Sequence, residues 1–117
     1  MGDVGRLPWL TDVPIDYWGD LDTHGFAILN RLRAFLPQTR SLLMDADTLL
    51  SHRDRWVVEQ RPTHTSLSRL TQEEVEVYRG LVEDRWGARL RLEQERIDWS
   101  WALDHLPASG RYPSSSE

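Results

Sequence analysis

Residues 17–25 read Tyr17-Trp18-Gly19-Asp20-Leu21-Asp22-Thr23-His24-Gly25. A short apolar strand gives way to a helix here, and Asp20 and Asp22 stand one residue apart at the junction. In extended backbone alternate side chains leave the same face, so the two carboxylates are predicted to lie side by side. Two neighbouring anions repel each other and usually have a compensating cation. The stretch therefore predicts a divalent-metal site beyond the end of a strand, where open α/β sheets bind ligands.

Helix capping is the alternative role for these two residues. An Asp in the first helical turn accepts hydrogen bonds from free amides and complements the helix dipole. Capping accounts for one of the carboxylates but not for a pair on one face. His24 stands beside the acids as a candidate ligand, but a polar residue of the first helical turn is the favoured interpretation. His52, His64 and His105 show no metal-ligand spacing.

The composition of the 117-residue chain excludes several classes of function. It contains no Cys, and all 14 basic residues are Arg, so thiolate metal sites, disulfides and lysine nucleophiles are excluded. The net charge of −5 means that contact with DNA needs a local basic patch or a partner. No apolar run approaches the roughly 20 residues of a membrane span and no signal peptide is evident. We therefore expect a cytoplasmic protein that does not contact the membrane.

The first half of the chain predicts a strand, a helix and a second strand. Residues 15–19 form the first strand, and Asp22 or Thr23 caps the helix that Pro37 ends. The predicted buried face of this helix comprises Ile28, Leu29, Leu32, Phe35 and Leu36. Its predicted solvent face comprises Asn30, Arg31 and Arg33. Residues 41–44 are an apolar run that suits a central strand covered on both faces.

The second half continues the alternation of strands and helices. Residues 56–58 predict an edge strand, and Thr71 and Glu74 have the spacing of a capping box that opens a long helix. Residues 89–93 alternate as a half-buried strand does, and residues 97–106 predict a last helix. This order predicts an α/β fold in which a small, mostly parallel sheet is flanked by helices.

The predicted domain covers residues 15–106, between an irregular segment at 1–14 and a disordered tail at 107–117. The carboxyl ends of parallel strands share one edge of a sheet. The fold is therefore expected to gather four acidic residues, Asp20, Asp22, Asp45 and Glu93. Asp45 is predicted to be an outer-shell group of the metal site, with a turn cap as its alternative role.

Four blocks of the sequence resemble the Toprim domain that ends the Wadjet anti-plasmid nuclease subunit JetD. In family order they are Tyr17 to Leu29, Leu42-Leu43-Met44-Asp45 with Thr48-Leu49, Leu70-Thr71-Gln72-Glu73-Glu74, and Arg91-Leu92-Glu93-Gln94-Glu95-Arg96-Ile97. The first block resembles the second acidic motif of that domain. The family is similar to the topoisomerase VI A subunit, so the resemblance implies a partial Toprim, Rossmann-like fold.

The resemblance implies a Mg²⁺- or Mn²⁺-dependent DNA endonuclease that acts in bacterial defence against foreign circular DNA. It assigns metal binding, and catalysis through the metal, to Asp20 and Asp22. Glu93 is a further catalytic candidate, whose alternative role is an ion pair with Arg91 or Arg96. The implied partners are double-stranded DNA and an SMC-like motor complex, and a homodimer is compatible with this interpretation.

One departure from the Toprim pattern affects the expected activity. The pattern includes a glutamate on an earlier strand, whereas no Glu stands among the 19 residues before Asp20. We therefore expect the chain to be the C-terminal part of such a nuclease, and to be inactive or weakly active alone.

The alternatives are a non-catalytic interaction fragment that docks onto the SMC-like complex, and an unrelated metal-dependent phosphotransfer domain. A haloacid-dehalogenase-type phosphatase is disfavoured because Gly19 precedes Asp20 and His24 occupies the position of the required Thr.

Residues 51–70 concentrate positive charge, with four Arg and two His against two acids. In the functional interpretation this segment contacts phosphates beside the metal, and Arg53 and Arg55 touch DNA. In the alternative it is a solvated connection anchored by Trp56.

Overall fold

The structure is a computed structural model that describes residues 13–106. Its elements are β1 (Asp16–Tyr17), α1 (Thr23–Phe35), β2 (Arg40–Ser41), α2 (Ala46–Ser51), β3 (Val57–Val58), α3 (Gln72–Val82), β4 (Leu90–Arg91) and α4 (Trp99–His105). Short 3₁₀ helices span Arg53–Arg55 and Gln94–Arg96. This order confirms the predicted α/β class. The predicted tail and most of the predicted irregular segment lie outside the described residues.

The strands form two small sheets that are joined through one contact. β1 and β2 pair in parallel, with α1 as the crossover between them, as predicted. β3 and β4 pair antiparallel, so the strands of residues 13–106 form one parallel and one antiparallel pair. Leu21 and Leu92 exchange backbone hydrogen bonds of 2.9 and 3.1 Å, and this bridge links the loop after β1 to the end of β4.

The hydrophobic core lies between α1, α3 and the strand ends. Its buried members are Leu21, Phe26, Leu29, Leu43, Met44, Leu49, Val77, Tyr78, Leu81, Leu90, Leu92, Ile97 and Ala102. Phe26 of α1 meets Tyr78 of α3 edge to face, with ring centroids 6.1 Å apart. Within residues 13–106, no helix has the length and apolar character needed to cross a membrane.

Helix α1 buries a different face from the predicted one. Phe26, Leu29 and Arg33 are buried at helical spacing, whereas Ile28 and Phe35 are 48% and 49% exposed. The prediction that Arg33 faces solvent is wrong, because α3 supplies a buried countercharge for it.

That countercharge is Glu74, which binds the Arg33 guanidinium through both carboxylate oxygens at 2.5 and 3.0 Å. The same carboxylate accepts hydrogen bonds from the Ser41 hydroxyl and from the Thr71 amide, which confirms the predicted capping box. Burial alone raises the pKa of Glu74, but the hydrogen bonds from Arg33, Ser41 and Thr71 outweigh it and hold the pKa below its ordinary value. The ion pair therefore fastens α1 to α3.

The apolar run at 41–44 forms strand only at its first residue. Leu43 has a φ of 58°, in the left-handed region, so the extended backbone cannot continue through it. Leu43 and Met44 are nevertheless buried in the core. The covered central strand predicted here is thus replaced by a turn that leads into α2.

Glu74→Gln is expected to lower the free energy of unfolding at neutral pH by about 3–5 kcal/mol, because it leaves the Arg33 guanidinium buried without a countercharge. Chemical denaturation measures the loss. Since the pKa of Glu74 lies below its ordinary 4.5, the ionised carboxylate stabilises the fold above about pH 4.5. That contribution is lost as the pH falls through the folded-state pKa, so the difference between wild type and variant shrinks in acid.

Glu76→Gln is the matched control, because Glu76 lies on the exposed face of the same helix. It is expected to change the stability by no more than about 0.5 kcal/mol. Equal losses in the two variants, or a loss in Glu74→Gln that does not depend on pH, contradict this account of the α1–α3 contact.

Candidate functional site

A cavity of about 550 Å³ opens beyond the end of β1. Both predicted metal ligands, Asp20 and Asp22, line it, together with Glu59, Arg91 and Gln94. The cavity lies where the loop after β1 crosses β4, so the Leu21–Leu92 bridge determines which side chains meet there.

Asp22 serves as the N-cap of α1. Its Oδ1 accepts a 2.6 Å hydrogen bond from the Gly25 amide, and its Oδ2 lies 3.4 Å from Nε of Arg91. Burial raises the pKa of Asp22, and the charges of Glu59 and Asp20 add to that effect against the Gly25 hydrogen bond and Arg91. One oxygen of Asp22 therefore has the capping role that the sequence left open, while the other faces the guanidinium of Arg91.

Asp20 is fixed from two sides. Its Oδ1 accepts a 2.7 Å hydrogen bond from the Gln94 amide, and its Oδ2 lies 3.2 Å from Nη2 of Arg91. The two aspartates therefore meet at one guanidinium, although they approach different nitrogen atoms of it.

Glu59 is an acidic residue of the cavity that the sequence did not identify. Its side chain is 3% exposed, and its two carboxylate oxygens accept hydrogen bonds from the hydroxyl and amide of Thr23 and from the amide of His24. A carboxylate at this position complements the N-terminus of α1. The sequence feature that could have identified Glu59 is its position directly after the predicted edge strand, where side chains of a binding site often lie.

Two glycines allow the loop and the helix to approach closely. A Cβ at Gly25 would lie 2.0 Å from the carbonyl oxygen of Asp20. The Tyr17 ring covers Gly19, and its hydroxyl donates to the Gly25 carbonyl at 3.3 Å. Burial, followed by the charges of Asp22 and Asp20, raises the pKa of Tyr17, which therefore stays a neutral donor.

The donor set of the cavity fits a divalent cation only in part. Carboxylate oxygens suit Mg²⁺ or Mn²⁺, and Mg²⁺ is commonly bound by one or two carboxylates with waters and phosphates. However, the Arg91 guanidinium lies between the two aspartates, and across the described range no three His, Cys, Asp or Glu side chains form a metal-binding group. As arranged, the residues therefore do not form a complete metal site.

The structure does not bring Asp45 to this cavity. Its carboxylate accepts a hydrogen bond from the Thr48 amide at 2.9 Å and caps α2, which is the alternative role left open by the sequence. Glu93 lies 3.6 Å from both Arg91 and Arg96, so its alternative ion-pair role is also observed.

The two arginines predicted to contact DNA belong to the 3₁₀ helix after α2. The Arg53 guanidinium lies over the Trp56 ring, 5.5 Å from its centroid. Arg55 pairs with Asp98 at 2.5 Å. Neither lines the cavity of the aspartates, whereas Arg61 of the same segment does. The DNA contacts of Arg53 and Arg55 stay a prediction.

Gly25→Ala is expected to lower the free energy of unfolding by about 1–3 kcal/mol, because the new methyl group meets backbone that cannot move without displacing Asp20. Chemical denaturation measures it. Gly19→Ala is the matched control and is expected to cost less, since its methyl group meets the tip of the Tyr17 side chain, which can rotate away. A larger loss at Gly19 contradicts this explanation.

Comparison with known proteins identifies the family. No curated protein matches the chain. The family described as "Wadjet protein JetD, C-terminal" matches residues 1–106, a range that contains both aspartates, Glu59 and Arg91. Because this match covers most of the 117 residues, the chain belongs to the JetD C-terminal family of Wadjet proteins.

Proposed function

We propose that this JetD-family chain carries the metal-binding part of a DNA endonuclease that acts on foreign circular DNA in Wadjet defence. One observation carries the proposal: the carboxylates of Asp20 and Asp22 converge on a single positively charged group at the cavity. Two acids that approach one cation lie close to each other, which a shared divalent ion also needs. The Toprim-like sequence blocks support the same assignment.

The chain itself holds the carboxylates of Asp20 and Asp22 in place through backbone amides. The Gln94 amide holds one oxygen of Asp20, and the Gly25 amide holds one oxygen of Asp22. Each residue keeps its second oxygen for a cation. Asp20 and Asp22 are the residues that would hold Mg²⁺ or Mn²⁺, and the ion would supply charge neutralisation and orientation of the oxygens at a phosphate. Two carboxylates alone would leave the remaining ligands to phosphate and water.

DNA binding by this chain depends on local charge and on a partner. The net charge of −5 does not attract a polyanion, so we propose that an SMC-like motor complex presents the DNA. Arg61 lines the cavity and supplies guanidinium donors that suit a phosphate. Since the Oδ2 atoms of Asp20 and Asp22 already face Arg91 and the other oxygens accept backbone hydrogen bonds, we propose weak or no cleavage by the chain alone.

A non-catalytic interaction fragment is the second candidate function. It is favoured by Arg91, which pairs with both aspartates, and by Trp99 of α4, which is 64% exposed. In this case the chain docks onto the SMC-like complex and cleaves nothing. Metal titration separates the two functions.

Mn²⁺ is expected to bind the 117-residue chain, and Asp20→Ala and Asp22→Ala are each expected to remove that binding in isothermal titration calorimetry. Asp45→Ala is the matched control, since it also removes a helix cap but lies outside the cavity. Loss of a cap costs about 1 kcal/mol, so circular dichroism must show that all variants are folded. Absence of binding to the wild-type chain favours the interaction fragment.

A nicking assay on supercoiled plasmid with Mn²⁺ complements the titration. Weak cleavage or none is expected from the chain alone. Robust cleavage that Asp20→Ala abolishes would show that two aspartates suffice for the chemistry.

Arg53→Ala combined with Arg55→Ala is expected to weaken binding to a short DNA duplex. It should reduce the slope of log K against log salt by about 2, one for each lost phosphate contact. Fluorescence anisotropy at several salt concentrations measures the slope. The control pair, Arg79→Ala with Arg85→Ala, removes the same charge from the region of α3. An unchanged slope in the Arg53 and Arg55 variant removes the assignment.

A further inference from the structure

Two segments of this acidic chain contain no carboxylate side chain. The chain has 19 acidic residues, yet no Asp or Glu occurs in residues 23–44 or in residues 60–72. The first segment contains α1, and the second is the irregular stretch that leads into α3. Together they carry five arginines, which are Arg31, Arg33, Arg40, Arg61 and Arg69. Both segments are therefore locally positive in a chain whose net charge is −5.

The fold brings these two segments side by side. At the start of α1, the Thr63 amide donates a 2.8 Å hydrogen bond to the Thr23 hydroxyl. Two helical turns later, the Arg69 amide donates a 2.7 Å hydrogen bond to Oδ1 of Asn30. The irregular stretch therefore follows α1 from Thr23 to Asn30, a length of about 10 Å at the helical rise per residue.

A cavity of about 390 Å³ lies between the two segments. Polar side chains from both segments line it, among them Asn30, Arg31, Thr63, Thr65 and Ser66. The described part of its lining contains no Asp or Glu. The cavity therefore offers guanidinium, amide and hydroxyl groups to a ligand and no carboxylate that would repel an anion.

Three exposed arginines at this cavity have no acidic partner. Arg31, Arg61 and Arg69 are exposed, and none of them forms an ion pair with an Asp or Glu of residues 13–106. Most other arginines of that range do pair with an acid, as Arg40 does with Asp16. The three arginines and the cavity form an arginine surface. Guanidinium groups without an internal counter-ion favour an anion from outside.

The arginine surface continues into the cavity beyond β1. Arg61 lines the cavity beyond β1, and His24 lines both cavities. Nε2 of His24 hydrogen-bonds to the Arg61 carbonyl oxygen, which fixes the boundary between them. An extended anion that lies along the arginine surface therefore reaches the cavity that Asp20 and Asp22 line.

We propose that the arginine surface binds the phosphate backbone of DNA and directs it along α1 toward Asp20 and Asp22. The inference rests on the proposed function, since it takes DNA as the bound polymer, and it names the surface that holds this substrate. Guanidinium and hydroxyl groups donate hydrogen bonds to phosphate oxygens, and such contacts do not depend on base sequence.

The dimensions and composition of the arginine surface fit a phosphate backbone. At a rise of about 3.4 Å per nucleotide, the contact along α1 spans about three phosphates of one strand, which matches the three free arginines. No Phe, Tyr or Trp occurs in the described lining of the cavity, so the surface lacks the aromatic groups on which unpaired bases stack. We therefore expect backbone contact with a duplex rather than base recognition.

The combined substitutions Arg31→Gln, Arg61→Gln and Arg69→Gln are expected to weaken duplex binding by at least about tenfold. They should also reduce the slope of log K against log salt by about 3, one for each lost phosphate contact. Fluorescence anisotropy with the 117-residue chain and a short labelled duplex measures both quantities. The buffer contains EDTA, so the measurement reports binding without cleavage.

The matched control combines Arg40→Gln, Arg85→Gln and Arg96→Gln. It removes the same charge, but from arginines that already pair with acids. Because these side chains are not available to a phosphate without losing their partners, the control is expected to bind the duplex within about twofold of the wild type. Circular dichroism checks that both triple variants are folded.

Ala34→Glu tests the same surface by adding a charge. Ala34 is an exposed residue of α1 at the cavity, and Glu is compatible with the helix there. The new carboxylate repels phosphate and is expected to weaken duplex binding by about threefold. Ala88→Glu adds the same charge at an exposed position outside the arginine surface and is expected to leave binding unchanged.

The outcomes separate this inference from the proposed function. A loss confined to the Arg31, Arg61 and Arg69 variant supports the arginine surface, whatever the Mn²⁺ titration and the nicking assay show. Equal losses in the two triple variants overturn it, because the effect is then one of net charge. Absence of duplex binding by the wild type at low salt also overturns it. Poly-glutamate that displaces the duplex as well as unlabelled duplex does overturns the assignment to DNA in favour of an acidic protein.

Discussion

The backbone bridge between Leu21 and Leu92 is the contact on which the rest of this structure depends. Each strand spans only two residues, and two-stranded sheets of this size are not stable alone in water. The bridge joins the two sheets through a pair of fully buried residues. It also carries the loop after β1 across β4, where Asp20 meets the Gln94 amide and the Arg91 side chain. The same contact thus organises the sheet and the cavity.

Carboxylates at the start of α1 have two roles at once. Asp22 and Glu59 both accept hydrogen bonds from amides of the first helical turn, which stabilises the helix. Both also place negative charge at the cavity. Stability and the proposed chemistry therefore depend on the same atoms. Substituting such a residue changes folding and ion binding together, which is why variants at Asp20, whose role in the fold is smaller, are more informative about function.

Sequence patterns predicted the features that are encoded within a few residues. The capping box of Thr71 and Glu74 is an example, since both partners lie in one helical turn. The burial of Arg33 was not predictable in this way, because its countercharge is 41 residues away. The same holds for Glu59, which acts 36 residues from Thr23, and for Arg91, which acts 71 residues from Asp20. Asp20 and Asp22 were visible in the sequence, but the guanidinium of Arg91 between them was not.

The hydrogen bonds of Arg33 reach beyond Glu74. Its guanidinium also donates to the carbonyl oxygens of Thr39, after α1, and of Arg69, before α3. One rigid, planar group therefore joins a turn, an irregular segment and a helix. If one of these segments unfolds alone, a buried N–H group of Arg33 loses its acceptor, so partial unfolding of this region is unfavourable. We expect this half of the domain to open as a single cooperative unit, protected to a similar degree against hydrogen exchange.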